Sequence, residues 1–392
     1  MIRIKDTRLQ STASVLERAL DTAAFYGFVP LEEALRSGKT SLPPQKNGIP
    51  LFARRDERAL NTSARMCLTA KRNPGDILLL SRLVKNAPGT RTPTASYTLE
   101  LHVLGASAAI AEALLIIVVS GIAEDIGVQD RVLTINSIGS LDSSNRFVRD
   151  VGSFLRKHLD SIAPALRARA AEDPLSTLIQ LFEKGHPAMH RAPQSVEYLT
   201  EEERRRFWDL LEHLEISDIP YELSPMVLGS RDVWAHTLFE LSRKDEETGM
   251  RVPFALGGRY DPLATRLLGH PSVAAVAALT CEIRGKSKAP ASRTPSTPLY
   301  FAHLGAEARR KALPMLEGLR REGILVEQSL LHERLQEQME RAKRKKISHM
   351  LIMGHKEALE GTILVREMAT NAQEAIPLRE LTGYLRRQKV RT

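Results

Sequence analysis

The stretch LGGRYDPL, Leu256–Leu263, sets two adjacent glycines and a charged Arg-Tyr-Asp triplet at the predicted end of a strand. Glycine has no Cβ, so a ligand or another backbone segment can approach it closely. The pattern predicts a small-molecule pocket lined by Gly257, Gly258, Arg259 and Tyr260. A turn that serves folding alone would also need both glycines, and this alternative stays open.

Two other strings precede this one in the chain, LTINSIGSL at Leu133–Leu141 and TLFEL at Thr237–Leu241. The three strings together resemble the histidyl-tRNA synthetase family of class II aminoacyl-tRNA synthetases. The resemblance extends from about Tyr26 to the C-terminus. It implies an α+β fold with an antiparallel sheet core and flanking helices, and it implies a homodimer.

The spacing of the predicted strands agrees with this fold, because several are near neighbours in sequence and do not alternate regularly with helices. We predict that the synthetase-like core spans residues 1–283, with a helical insertion at about 155–215. The segment RGKSKAPASRTPSTP, 284–298, is typical of a linker, since Pro, Ser and Lys replace all hydrophobic periodicity. A small mixed α/β domain is predicted for 299–392.

The resemblance also indicates where ATP-binding residues would lie, and several of those positions are changed. The strand–loop–strand element that grips ATP places Arg82 at the arginine position, but Val84 stands where a glutamate is expected. The family's Arg-Pro-Glu-Gly-Thr segment is faintly matched by ARRDERALNTSARM, in which Glu57 is the best candidate. Glu57 could equally belong to a run of paired surface charges that opens a helix.

Two more family segments are altered in the same way. The histidine-recognition segment keeps Asp232 but loses its arginine, for which Arg231 is a displaced candidate. The glycine-rich strand that should end in Glu-Arg has Thr280 and Cys281 there, with Arg284 slightly beyond. Losing one preorganised donor at a transition state costs roughly 10²–10³ in rate, so several losses predict little turnover.

These changes lead us to predict a catalytically degenerate histidyl-tRNA synthetase paralogue without a cofactor. The residual nucleotide or amino-acid pocket would contain Glu57, Arg82, Asp232 and the glycine–arginine–tyrosine string. One alternative is an active histidine–tRNA ligase with an atypical site, which would need ATP and Mg²⁺. A further alternative is a histidine-sensing regulatory subunit of the ATP phosphoribosyltransferase type, although that paralogue lacks an anticodon-binding domain.

The C-terminal part carries the positive charge of the chain. Residues 284–392 contain 22 Lys and Arg against 12 Asp and Glu, a net charge of +10, which leaves −1 for the remainder. GHKEALEGTILVREMATNAQEAIPLREL resembles the anticodon-binding domain of the same synthetases. We predict binding of tRNA or other structured RNA through basic residues of and after the helix LHERLQEQMERAKRKK, although its glutamates also suit a solubilising face. The candidates are Arg334, Arg341, Arg344, Lys345 and Lys346.

Composition excludes several other classes of protein. Two cysteines, Cys67 and Cys281, support neither a disulfide framework nor a zinc site, and they fit a reducing, cytoplasmic setting. His186 and His190 are predicted to lie in a surface loop, so no metal site is expected. The apolar run within Leu101–Val128 is interrupted by a glutamate and is too short for a bilayer span, which predicts a buried core helix. A protein partner remains an alternative to RNA.

Overall fold

A computed structural model describes residues 2–3, 12–36, 57–73, 75–86, 94–245, 248–284 and 297–387, the side chains of 2–3, 12–14, 57, 94–95 and 282–284 excepted. The strands are β1 Ile2–Arg3, β2 Val29–Pro30, β3 Leu78–Lys85, β4 Thr94–Leu104, β5 Arg131–Ser137, β6 Tyr221–Leu223, β7 Ala235–Lys244, β8 Arg251–Arg259, β9 Ala274–Arg284, β10 Leu299–His303, β11 Glu327–Gln328, β12 His349–Met353, β13 Thr362–Glu367 and β14 Gln373–Pro377. The helices are α1 Thr12–Phe25, α2 Leu31–Arg36, α3 Glu57–Leu68, α4 Ile110–Asp125, α5 Leu141–Lys157, α6 Pro164–Glu172, α7 Pro174–Glu183, α8 Glu201–Ile216, α9 Asp261–Leu268, α10 Ala306–Arg321, α11 Leu335–Arg344, α12 His355–Glu360 and α13 Leu381–Arg387.

One large sheet forms the centre of the N-terminal part, in the order β2-β3-β4-β9-β8-β7-β5-β6, with β1 beside β9. All neighbours from β3 to β5 along this order are antiparallel. The short strands β1, β2 and β6 pair in parallel. The predicted α+β fold with an antiparallel sheet core is therefore confirmed, with parallel pairing added by these short strands.

The two faces of the sheet are covered by different helices. On β4, Leu99, Leu101 and Val103 pack with α1 and α4 in one hydrophobic cluster. Glu100 and His102 alternate with them and point to the opposite face, as the two-residue period of a strand requires. That opposite face is covered by α3, α5 and α9.

Helix α4 corresponds to the buried core helix that the apolar run predicts. Every residue from Ile110 to Ala123 is buried, whereas Leu101–Leu104, at the start of the apolar segment, forms the end of β4. Strand β4 pairs with β9 along its whole length, from Thr94 to Leu104. In the described part of the chain, no helix is long and apolar enough to span a membrane.

Helix α8 begins with a capping box formed by Thr200 and Glu203. The Thr200 hydroxyl accepts a hydrogen bond from the Glu203 backbone N–H at 3.3 Å, and the Glu203 carboxylate accepts one from the Thr200 N–H at 2.8 Å. The same carboxylate accepts a hydrogen bond from the Ser143 hydroxyl at 2.7 Å. This cap therefore joins the start of α8 to α5.

The C-terminal part forms a second sheet in the order β11-β10-β12-β13-β14. Strand β10 is parallel to β11 and β12, and β13 is antiparallel to both of its neighbours. Side chains of α10 join it to the core. The hydroxyl of Tyr26, just after α1, donates to Glu317 at 2.5 Å, and Arg320 pairs with Asp125 on α4 at 2.6 Å. The predicted linker at 284–298 lies almost entirely outside the described residues, and the domain boundaries stay predictions.

Candidate functional site

A buried polar network lies on the face of the sheet under α3. Arg82 on β3 donates to a Glu100 carboxylate oxygen on β4 at 3.1 Å. Ser63 on α3 donates to the same oxygen and lies 3.1 Å from His102 Nε2. His102 Nδ1 is 2.9 Å from the Tyr260 hydroxyl. Two of the predicted pocket residues, Arg82 and Tyr260, thus belong to one network. Every residue of this network is at most 8% exposed.

The electrostatics of this network favour charged groups in spite of burial. Burial opposes ionisation of Glu100, but the neighbouring His102 and the Arg82 charge outweigh it and lower the pKa of Glu100. Burial likewise opposes the cation of His102, but Cys67 and Glu100 raise the pKa of His102 to about 9. The His102 and Glu100 side chains are 3.8 Å apart, too far for a hydrogen bond, so we assign their link to the intervening Ser63 hydroxyl.

Polar side chains continue along the same face toward the position where the family carries Glu-Arg. The Thr280 hydroxyl lies 3.0 Å from the Thr98 hydroxyl, which donates to the Asn86 side-chain oxygen at 3.2 Å. All three residues are buried, as are Val84 and Cys281. These neutral groups hold no phosphate-binding charge.

A second network surrounds Glu112 on α4, on the other face of the sheet. Arg259 donates to one Glu112 oxygen at 3.1 Å, and Arg206 on α8 donates to the other. Arg259 also pairs with Asp261 at 3.0 Å and donates to the Ala106 carbonyl at 3.1 Å. Arg259 is 1% exposed and Glu112 is fully buried. The structure therefore places Arg259 apart from Arg82 and Tyr260.

The two predicted pocket glycines lie against protein atoms. A Cβ at Gly257 would approach both the Phe239 ring and the Val276 carbonyl oxygen to 2.3 Å. A Cβ at Gly258 would lie 2.6 Å from the Thr237 carbonyl oxygen. No side chain fits at those distances, so close packing of β8 against β7 and β9 is sufficient to require both glycines.

The remaining predicted core residues lie elsewhere. Asp232 is exposed in the turn before β7, beside the partly buried Arg231. Glu57 begins α3 and Arg284 ends β9, but both side chains lie outside the described part of the structure. Metal binding finds no support in the described ranges, where no three His, Cys, Asp or Glu side chains form a group that could hold an ion.

The C-terminal candidates lie on and after α11. Lys343, Arg344, Lys345 and Lys346 are all exposed, at the end of the helix and just beyond it. Lys345 forms an ion pair with Glu327 at 2.6 Å. Arg341 is half-buried, and Arg334 is exposed near Glu337, 3.8 Å away. Four adjacent exposed cations thus follow one another where α11 ends, which also suits the negative end of the helix dipole. The linker cations Lys286, Lys288 and Arg293, which we predict to neutralise further RNA phosphates, lie outside the described residues.

Residues 300–388 match the family described as Anticodon binding domain. Histidine–tRNA ligase 1 of Shouchella clausii is 28% identical over 292 residues, covering 74% of this chain and 68% of that protein. The histidine–tRNA ligase of Symbiobacterium thermophilum is 28% identical over 298 residues, with the same two shares. The structure of apo histidyl-tRNA synthetase from S. aureus is 19% identical and matches with a TM-score of 0.50 over 98% of this chain and 97% of that one, which shows the same fold.

The chain is similar to histidine–tRNA ligases over 74% of its length and has the fold of histidyl-tRNA synthetase. The predicted family resemblance is confirmed.

Sequence reasoning missed most of the side chains that pair with Arg82 and Arg259. Glu100 and His102 gave a signal, because LELHV alternates polar and apolar residues on a strand paired with the Arg82 strand. Glu112 was noted only as an interruption of an apolar run. A carboxylate in the first turn of a buried helix requires a cationic partner, and this rule would have predicted an arginine beside it.

Proposed function

We propose that this chain is a catalytically degenerate member of the histidyl-tRNA synthetase family and binds tRNA or another structured RNA through its C-terminal domain. The observation that carries the first half is the pairing of Arg82 with Glu100 in a buried network. A guanidinium that should grip ATP phosphates has a carboxylate of the same chain as its partner. The homodimer stays a prediction from family resemblance.

The energetics of a buried ion pair support this reading. Removing one partner of such a pair costs about 3–5 kcal/mol, because the other charge stays buried and uncompensated. ATP would have to displace Glu100 from Arg82, and Glu100 is also held by Ser63. The chain offers the phosphates no compensating charge at Thr98 or Thr280, whose hydroxyls contact each other.

The charge distribution supports the second half. The C-terminal residues 284–392 carry a net charge of +10, whereas the rest of the chain carries −1. Long-range attraction to a polyanion therefore comes from this part of the chain. The run Lys343–Lys346 is its densest group of exposed cations on a described element and its following turn.

The decisive test of degeneracy is histidine-dependent exchange of pyrophosphate into ATP. We expect no detectable exchange under conditions in which the Shouchella clausii relative, assayed alongside, is active. Exchange near the rate of that control would refute degeneracy. It would favour a ligase with an atypical site, in which Arg231 or Arg284 supplies the missing charge.

The RNA assignment is tested by the salt dependence of binding to a folded tRNA. Each neutralised phosphate contributes about −0.7 to −0.9 to the slope of log K against log salt. The triple variant Arg344→Ala, Lys345→Ala, Lys346→Ala should therefore flatten the slope by roughly two units and weaken binding at low salt.

A matched control removes the same charge elsewhere in the domain, by Lys356→Ala, Arg379→Ala and Arg386→Ala. All three control residues are exposed and lie outside α11. The control variant should keep most of the wild-type slope. If the α11 variant bound the RNA as tightly as wild type at low salt, this face would instead be assigned to docking of a protein.

A further inference from the structure

A buried histidine lies where helix α8 of the core meets helix α10 of the C-terminal domain. This residue, His213, is in the last turn of α8 and is 6% exposed. Its Nδ1 atom is shielded from solvent and has no hydrogen-bond partner among the described residues. Buried polar atoms are nearly always hydrogen-bonded in folded proteins, so an exception of this kind calls for an explanation.

The charges that act on His213 come from α10, and both are positive. Burial, and then the charges of Arg309 and Arg310, lower the pKa of His213 to about 4. Arg310 also pairs with Glu212, the residue before His213, at 3.1 Å, which fixes the start of α10 against α8. The imidazole is therefore neutral at pH 7, and two guanidinium groups of the other domain oppose its protonation.

The other charged groups around this contact are already paired. Arg309 pairs with Glu333 at 2.9 Å, and Arg310 pairs with Glu307 at 2.6 Å. In the described ranges, His213 itself forms no ion pair. The other elements packed against α8 are α4 and β7, whose charged residues are Glu112, Glu124 and Asp125, each paired with arginine, and Glu240, Arg243 and Lys244.

A second buried histidine, His303 on β10, is also influenced by Arg309 but belongs to the C-terminal domain alone. Its Nε2 atom lies 3.2 Å from the Leu330 carbonyl oxygen of the same domain. Separation of α10 from α8 leaves this contact intact, whereas it hydrates His213. His213 is thus the histidine whose surroundings depend on the packing of the two domains.

Packing of α10 on α8 and protonation of His213 oppose each other. In an open state the imidazole is hydrated and recovers its ordinary pKa of 6.5. The open state therefore binds a proton more tightly than the packed state does. Since the pKa is lowered in the packed state, packing is fully stable above pH 6.5 and is weakened as the pH falls from 6.5 toward 4, by up to about tenfold per pH unit.

We propose that His213 makes the packing of the C-terminal domain on the core sensitive to acid. Uptake of one proton by its imidazole, beside Arg309 and Arg310, releases the first half of α10 from α8. The contacts of Glu317 and Arg320 with the core, near the end of α10, do not involve His213 and keep the domain attached. The device belongs to the interface and does not depend on the RNA proposal.

Hydrogen exchange of the full chain at pH 7.5 and 5.5 measures this opening, with protection factors corrected for the intrinsic exchange rate at each pH. The pKa of His213 is 6.5 in the open state and about 4 in the packed state, so the open fraction should rise about tenfold between the two pH values. Amides in the second half of α8 and the first half of α10 should lose about tenfold in protection. Amides of α5, which packs in the separate cluster on the other face of the sheet, should keep theirs.

Two results of this measurement would overturn the proposal. Constant protection at α8 and α10 would show that the interface does not respond to acid. An equal loss of protection in α5 would show unfolding of the whole chain rather than opening of one interface.

Two substitutions identify the proton acceptor. His213→Gln is neutral at both pH values, and His213→Leu also removes the polar atoms, in case glutamine is poorly accommodated. In each variant, protection at α8 and α10 should be the same at both pH values. The control His190→Gln, at an exposed position of the helical insertion, should lose about tenfold like wild type. An unchanged loss in both His213 variants would assign the acid response to neighbouring carboxylates and refute the proposal.

Discussion

Substitution of Glu112 by glutamine tests whether Arg259, the arginine of the LGGRYDPL string, is held as a structural ion pair. The Glu112 carboxylate is fully buried between Arg259 and Arg206, which are 1% and 18% exposed at the side chain. Glutamine keeps the volume and one acceptor but removes the charge that both arginines share. Breaking a buried pair in this way costs about 3–5 kcal/mol. Because Asp261 still pairs with Arg259, we expect a value near the lower end, about 3 kcal/mol.

The assay is urea unfolding followed by the fluorescence of the buried Trp234 and by circular dichroism. The matched control is Glu222→Gln, which removes the same charge from a surface pair with Arg251 in which both side chains are 53% exposed. Exposed pairs contribute about 0–1 kcal/mol, so this variant should unfold almost like wild type. If the two variants lowered the free energy of unfolding equally, the Glu112–Arg259 pair would not be a structural requirement of the fold.

The other stability predictions concern a histidine and two glycines. The pKa of His102 is raised from 6.5 to about 9, so protonated His102 contributes about 3 kcal/mol to the free energy of unfolding; this contribution is fully present below pH 6.5 and is lost as the pH rises through 9. His102→Gln should remove this pH dependence from the unfolding curves. A free energy of unfolding of the wild type that stayed constant over that pH range would contradict the prediction. Gly257→Ala should destabilise by about 1–3 kcal/mol, because its Cβ would lie 2.3 Å from a carbonyl oxygen. Gly318→Ala, at an open helical position, should stabilise by about 0.5–1 kcal/mol, and thermal unfolding that showed the same sign for both alanines would refute the packing argument.

The fold was largely predictable, because local sequence patterns and short motifs shared with the synthetase family both indicate it. The capping box at Thr200 and the buried apolar helix α4 have short-range signals, which do not depend on distant residues. Sheet pairing is a different kind of signal, because β4 pairs along its whole length with the distant strand β9. Such pairing joins residues far apart in sequence, and periodicity within one segment does not report it.

The candidate site was less predictable, because its chemistry depends on which side chains meet across the sheet. Arg82 was identified, but its partner Glu100 is 18 residues away and became evident only through the register of β3 and β4. Arg259 and Tyr260 are consecutive in sequence and were expected to line one pocket. The alternation of side chains along β8 and the residue after it directs them to Glu112 and His102, on opposite faces of the sheet.

These contacts also give LGGRYDPL a role in folding alone. Gly257 and Gly258 are required by neighbouring backbone and ring atoms, and Arg259 neutralises a carboxylate within the buried α4. Replacement of any of the three would leave a steric clash or an unpaired buried charge, so folding alone is a sufficient constraint on the string. The string is therefore evidence for the fold of the family. Arg82, which is paired with Glu100, is the better indicator of whether the pocket still accepts a nucleotide phosphate. Pyrophosphate exchange is therefore the experiment that separates a degenerate synthetase from an active ligase.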